Sequence, residues 1–103
     1  MMVSDFLLEG RENAIPGHGL VDLLGLNSGR DLTQMVERER KAGVPICAST
    51  DTSGPGYYLA ADASELKAYI CSLDRRLHNV GQTRRHLEAT LLRMTGQDQL
   101  EGF

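Results

Sequence analysis

The feature that most constrains this chain is the punctuation at Leu24-Gly25-Leu26-Asn27-Ser28, which separates two short apolar-periodic segments. Leu20, Leu23 and Leu24 recur at helical spacing from His18 onward, with Val21 beside them. Gly25 then supplies a residue that closes a helix in the left-handed conformation at little steric cost. Ser28 followed by Asp31 has the spacing of a capping box, and Asp31 suits the positive end of a helix dipole. The spacing predicts a second helix from Gly29 to Lys41. Gly19 to Cys47 thus reads as helix, tight turn, helix and strand, closed by Gly43.

Stepping about 100° per residue along the second helix places Leu32, Met35, Val36 and Glu39 on one side. Arg30, Gln34, Glu37 and Lys41 fall on the other, with Thr33 and Arg38 flanking. One side packs and the other is free. Glu39 is the misfit, a carboxylate that must either reach the rim of the packed side or find a partner such as an arginine.

Residues 44–49 and 56–60 are alternating, β-prone runs separated by turn formers at 50–55, so a hairpin follows the two helices directly. This is the order of elements in a winged helix, with Thr50 to Pro55 as the wing. Upstream, residues 4–9 predict a short helix stopped by Gly10, and Ile15 predicts one or two ladder bonds before Pro16 ends the extension.

Asp62 and Glu65 form a second capping pattern and open the longest helical stretch. Within it Leu66, Ile70, Leu73, Leu77, Val80, Arg84, Leu87, Leu91 and Met94 make a heptad seam broken only by Arg84. Gly81 costs about 1 kcal/mol in a helix relative to Ala. The register nevertheless runs through it unshifted, which favours one helix of roughly 50 Å at about 1.5 Å per residue. Leu66, Ile70 and Leu73 are expected to cover the chain's own core. Leu77, Val80, Arg84, Leu87, Leu91 and Met94 are left as a seam for a second copy, parallel or antiparallel. The arginine pairs 75–76 and 84–85 are nine positions apart and do not form one basic face. The domain plan is a winged helix-turn-helix over residues 1–61, a dimerisation helix over 62–96 and a flexible tail over 97–103, an α+β chain that is mainly helical.

Composition narrows the function. The 103 residues suffice for one modest core and leave little room for an elaborate cleft. Five aromatic residues and no Trp give almost no stacking platform for single-stranded nucleic acid. A net charge of -3 argues against indiscriminate coating of nucleic acid. Cys47 and Cys71 lack metal or redox spacing, and His18, His78 and His86 have no triad-like company, so no enzyme, metal or cofactor is predicted. The N-terminus has no basic n-region with a long apolar run, which predicts a cytoplasmic protein with no membrane partner, and no small-molecule ligand is predicted.

The pattern of residues 15–60 resembles the winged helix-turn-helix of the biotin-repressor type. The matching residues are Leu24-Gly25, Ser28, Arg40 three residues before Gly43, the strand around Ile46, and Gly56-Tyr57-Tyr58-Leu59. The chain is also similar to small winged-helix proteins encoded by prophages of gut Firmicutes, through Glu39 to Cys47, the G-Y-Y-L strand and the long last helix. The resemblance implies DNA binding through the second helix, with the wing as a further contact, and no ligase chemistry. The sequence departs from the pattern in one extra turn residue and in Glu39, where an apolar residue is usual.

Read from the residues, Arg30, Thr33 and Gln34 occupy the first half of the free face, where arginine pairs with guanine and glutamine with adenine. Ser28, Arg38 and Lys41 suit phosphate, whereas Glu37 repels it and the wing carries no base. The expectation is a dimeric DNA-binding transcriptional regulator or replication accessory factor of phage or prophage type. The alternative is a non-enzymatic adaptor that keeps the fold and docks a larger protein assembly through its long helix.

Overall fold

Each helix begins or ends where the sequence supplies a capping group. In the computed structural model, which describes residues 2–50 and 54–96, α1 spans Gly17–Leu24 and ends on Gly25 at φ 66°. The Leu26 N–H then bonds the Val21 carbonyl at 3.0 Å, so the turn is closed by backbone alone. α2 spans Gly29–Lys41, and the Ser28 hydroxyl accepts the Asp31 N–H at 3.3 Å. α3 spans Ala63–Thr95 without interruption at Gly81. Its first turn is capped by Asp62, which accepts the Glu65 N–H at 2.8 Å, while Glu65 turns back to accept the Ala61 N–H at 2.9 Å.

β1 (Ile46–Ser49) and β2 (Gly56–Leu59) form an antiparallel hairpin that pairs Ile46 with Leu59 and Ser49 with Gly56. The described architecture is α+β and mainly helical, with one two-stranded hairpin and a long last helix. The second edge of β2 is also occupied. Ile15 exchanges both backbone bonds with Tyr57 at 2.9 Å, and Leu59 bonds Leu8 and Gly10 at 2.9 Å. Gly56, at φ 134°, is what allows this approach, because a Cβ there would fall on the Ile15 carbonyl.

That edge pairing corrects the expected helix over residues 4–9. Only Val3–Phe6 turns, as a 3-10 helix, and the chain then runs extended to Glu9 because β2 offers backbone partners that a continued helix would forgo. A second 3-10 turn, Arg11–Asn13, leads to the Ile15 bridge.

Strand alternation divides the core into two clusters. Ile46 joins Val3, Leu7, Leu20, Leu32 and Val36 on one face of the hairpin, whereas Cys47 joins Tyr58 and Tyr69 on the other. Burying each aliphatic side chain contributes about 1.5 to 3 kcal/mol. α3 closes the second cluster with Leu66 and Tyr69, not with the expected trio of Leu66, Ile70 and Leu73. Tyr69 is 8% exposed, against 49% for Ile70 and 38% for Leu73. The line of α3 that meets the hairpin is displaced by one residue from the heptad seam, because the Tyr69 ring fills the space beside Cys47 and its hydroxyl meets Arg40.

The chain divides into two units, Met1–Tyr69 and the residues from Ile70 onward. Both core clusters belong to the first. Residues 51–53 of the expected wing, Thr50 to Pro55, and the expected tail, 97–103, lie outside the described residues. Among the described residues no helix is long and apolar enough to cross a membrane.

Candidate functional site

Helix α2 is positioned by its buried side. Leu32 and Val36 are almost fully enclosed, which turns Ser28, Arg30, Thr33, Gln34, Arg38 and Lys41 outward, and all six are exposed. They lie along one helix, so their mutual spacing is fixed by the α-helical repeat and not by loop conformation. Arg30 and Gln34 stand one turn apart and present side-by-side donors. The Thr33 hydroxyl donates to the Gly29 carbonyl at 3.1 Å, which spends its proton within the helix and leaves its methyl group and lone pairs outward. The Ser28 hydroxyl accepts from Asp31 and keeps its own proton to donate.

Glu39, the sequence misfit, is 7% exposed and has neither reached the rim nor met an arginine. Its carboxylate accepts the Val3 N–H at 2.6 Å and the Ser4 N–H at 2.9 Å. It therefore ties the N-terminal 3-10 turn to the inner side of α2, and each of the two N–H groups gains a charged acceptor. A carboxylate on the packed side of α2 is thus accounted for by two donors supplied from the start of the chain.

Arg40 stands out in the sequence only as part of a pattern, and its role emerges from the geometry. Its Nε donates to the Ile46 carbonyl at 2.9 Å, one terminal nitrogen meets Glu37 at 3.0 Å and the other donates to the Tyr69 hydroxyl at 3.0 Å. The guanidinium also lies 5.5 Å from the centre of the Tyr69 ring. One side chain thereby links α2, β1 and the first turns of α3. Glu37, the acidic residue on the free face, is held by this arginine, which lowers the negative field it adds there. Only the Glu37–Arg40 pairing has a local signal, the three-residue spacing on a helix.

Beneath this surface the Cys47 thiol is fully enclosed, and burial pushes its pKa up, reinforced by Glu65 and opposed by Arg40. Burial also raises the Tyr58 hydroxyl, with Cys47 beside it adding to the effect. Both groups stay neutral at ordinary pH, as structural members of a core do. Among the described residues no three His, Cys, Asp or Glu side chains come together in a way that holds a metal ion.

The second unit carries the seam residues. Leu77, Val80, Leu87, Leu91 and Met94 are exposed, from 55% at Leu91 to 79% at Met94. Arg84 interrupts them and reaches Glu88 at 3.0 Å, one turn further on. Val80, Arg84, Leu87, Glu88 and Leu91 line a shallow, largely apolar groove along this face of α3.

Compared with protein-family models, curated proteins and solved structures, the chain matches none.

Proposed function

We propose that this chain is a winged-helix protein of the biotin-repressor N-terminal type that binds double-stranded DNA as a homodimer in the cytoplasm. In this reading it serves as a phage-type or prophage-type transcriptional regulator or replication accessory factor. The observation that carries the reading is the exposed face of α2. Arg30 and Gln34 stand there as base-reading donors, Ser28, Arg38 and Lys41 as phosphate-binding ones, and Glu37 is paired with Arg40 at 3.0 Å. The hairpin that follows α2 supports it by its place in the element order. The apolar seam on α3 supports the dimer, since one copy leaves Leu77, Val80, Leu87, Leu91 and Met94 in water, with Ile70 and Leu73 exposed before them.

Two α2 faces held by one dimer would read a two-fold site. Anisotropy titration of duplexes from the chain's own gene neighbourhood is expected to give saturable binding that weakens steeply with salt. Arg30→Ala should weaken it by about 1 to 3 kcal/mol, the worth of a bidentate base contact. Binding indifferent to Arg30, Thr33 and Gln34 would remove α2 from the role.

The adaptor reading is favoured by the same exposed seam taken with the net charge of -3. It predicts no binding to any duplex at about 50 mM salt. It also predicts a co-purifying protein partner that is lost on Leu87→Asp.

A further inference from the structure

The two arginine pairs of α3 are out of phase as pairs, but the helix also brings distant arginines to a common side. Arg75 and Arg93 are separated by 18 positions, five whole helical turns, and so point the same way, about 27 Å apart at about 1.5 Å per residue. Asn79, Gln82 and His86 fill the interval between them on that side, with Arg85 at its margin, and all six side chains are exposed. The face is opposite the apolar seam. It therefore stays open if Leu77, Val80, Leu87, Leu91 and Met94 are covered.

Three features of this face decide what fits it. Its centre carries no carboxylate; Asp74 flanks it on the side of Arg85, and Glu88, further round, is held by Arg84 at 3.0 Å on the seam side. Its only apolar member between Asn79 and Arg93 is Ala89, so it has none of the aromatic or aliphatic anchors that give a protein interface its affinity. Its remaining side chains are Thr90, whose hydroxyl donates to the His86 carbonyl at 3.1 Å and accepts from Arg93 at 3.2 Å, and arginine, histidine, asparagine and glutamine, the donors that recur on phosphodiester oxygens. A chain with net charge -3 has here a strip of the opposite sign, long enough to follow roughly 8 base-pair steps at about 3.4 Å each.

We infer that the outer face of α3, through Arg75, Arg85 and Arg93, is a second nucleic-acid surface that grips the phosphate backbone of duplex DNA without reading sequence. The inference rests on the DNA-binding reading of α2 and divides the labour: α2 supplies discrimination, and α3 supplies sequence-independent affinity.

The test uses the full chain, a duplex of arbitrary sequence and about 30 base pairs, and the triple variant Arg75→Gln/Arg85→Gln/Arg93→Gln, with anisotropy read over a range of salt. The expected result is at least tenfold weaker binding, roughly, and a salt slope shallower by about 2 to 3, near 0.9 for each phosphate no longer neutralised. The charge-preserving variant Arg75→Lys/Arg85→Lys/Arg93→Lys is expected to bind almost as the native chain does. Loss in both variants would overturn the inference in favour of a structural role for the arginines. An unchanged slope in the glutamine variant would overturn it while leaving the α2 reading intact, as would binding lost in Arg30→Gln alone. Displacement of the duplex by an equal charge of polyglutamate would also overturn it, because the face would then be one for acidic protein segments. If the native chain binds no duplex at all, this inference and the α2 reading fall together, whereas loss in the α3 variant beside indifference to Arg30→Gln on every duplex, those from the chain's own gene neighbourhood included, overturns the α2 reading alone.

Discussion

Arg40 donates to the Tyr69 hydroxyl at 3.0 Å while its guanidinium lies 5.5 Å from the centre of the same ring, so one side chain of α2 engages both the polar and the aromatic part of one side chain of α3. The same guanidinium caps the Ile46 carbonyl at 2.9 Å. The face of α2 that carries Arg30 and Gln34 is therefore braced from behind by β1 and α3.

Removing the brace should be costly. Arg40→Met is expected to destabilise the chain by about 2 to 3 kcal/mol in urea unfolding, the usual range for losing hydrogen bonds made by a charged group. Tyr69→Phe removes only a hydroxyl and should cost about 1 kcal/mol. Arg40→Lys is expected to recover little, because an ammonium cannot present the planar fork that serves three acceptors in fixed directions. Equal stability of Arg40→Met and the native chain would show that the brace contributes nothing.

The two thiols should behave in opposite ways. Cys71 is exposed and Cys47 is enclosed, so a thiol reagent is expected to label one site quickly and the other only as the chain unfolds. Because the folded pKa of Cys47 is raised above 9.0, stability is fully present below that pH and declines as pH rises past it toward the folded value, where the unfolded chain alone gains by ionising. Tyr58 adds a decline of the same sign above 10.0. Denaturant midpoints measured across this alkaline range should fall, and Cys47→Ala should flatten the first part of the fall.

Two glycines give a contrast within one chain. Gly81 sits inside α3 with room for a methyl group, which would lie 4.0 Å from the Arg85 guanidinium. Gly81→Ala is therefore expected to stabilise the helix by about 1 kcal/mol. Gly56→Ala combines a strained φ with a collision on the Ile15 backbone and should cost several times as much. Thermal unfolding of the two variants reads both signs in one experiment.

Local signals and long-range contacts divide what the residues reveal by themselves. The bounds of α2 follow from Ser28, Asp31 and the Leu32–Val36 spacing, because capping and amphipathicity are local. The continuity of α3 through Gly81 follows from the unbroken heptad register. Glu39 is recognisable as a misfit but its partners are not, since the Val3 and Ser4 N–H groups lie 36 and 35 residues away and no spacing rule connects them. The extended run after Phe6 reads as helix for a similar reason: the β2 edge that draws it out arrives some 50 residues later. The exposure of Arg30, Thr33, Gln34, Arg38 and Lys41 follows from helical spacing and the place of Ser28 from its cap, whereas the link from Arg40 to Tyr69 depends on tertiary contact.

Self-association has its own measurement. Light scattering at micromolar concentration is expected to give twice the chain mass of 11.3 kDa. Leu87→Asp, which places a charge in the middle of the exposed seam, should return the monomer with its helices intact. A native monomer would remove the α3 seam as a pairing surface.

Selection from a random duplex library asks whether the outward face of α2 reads duplex DNA in two copies, as proposed. Inverted half-sites about 10 base pairs apart are expected to enrich, with Arg30→Ala and Gln34→Ala each losing preference at one position of the half-site. A library that does not enrich, or a preference that survives both substitutions unchanged, would contradict it.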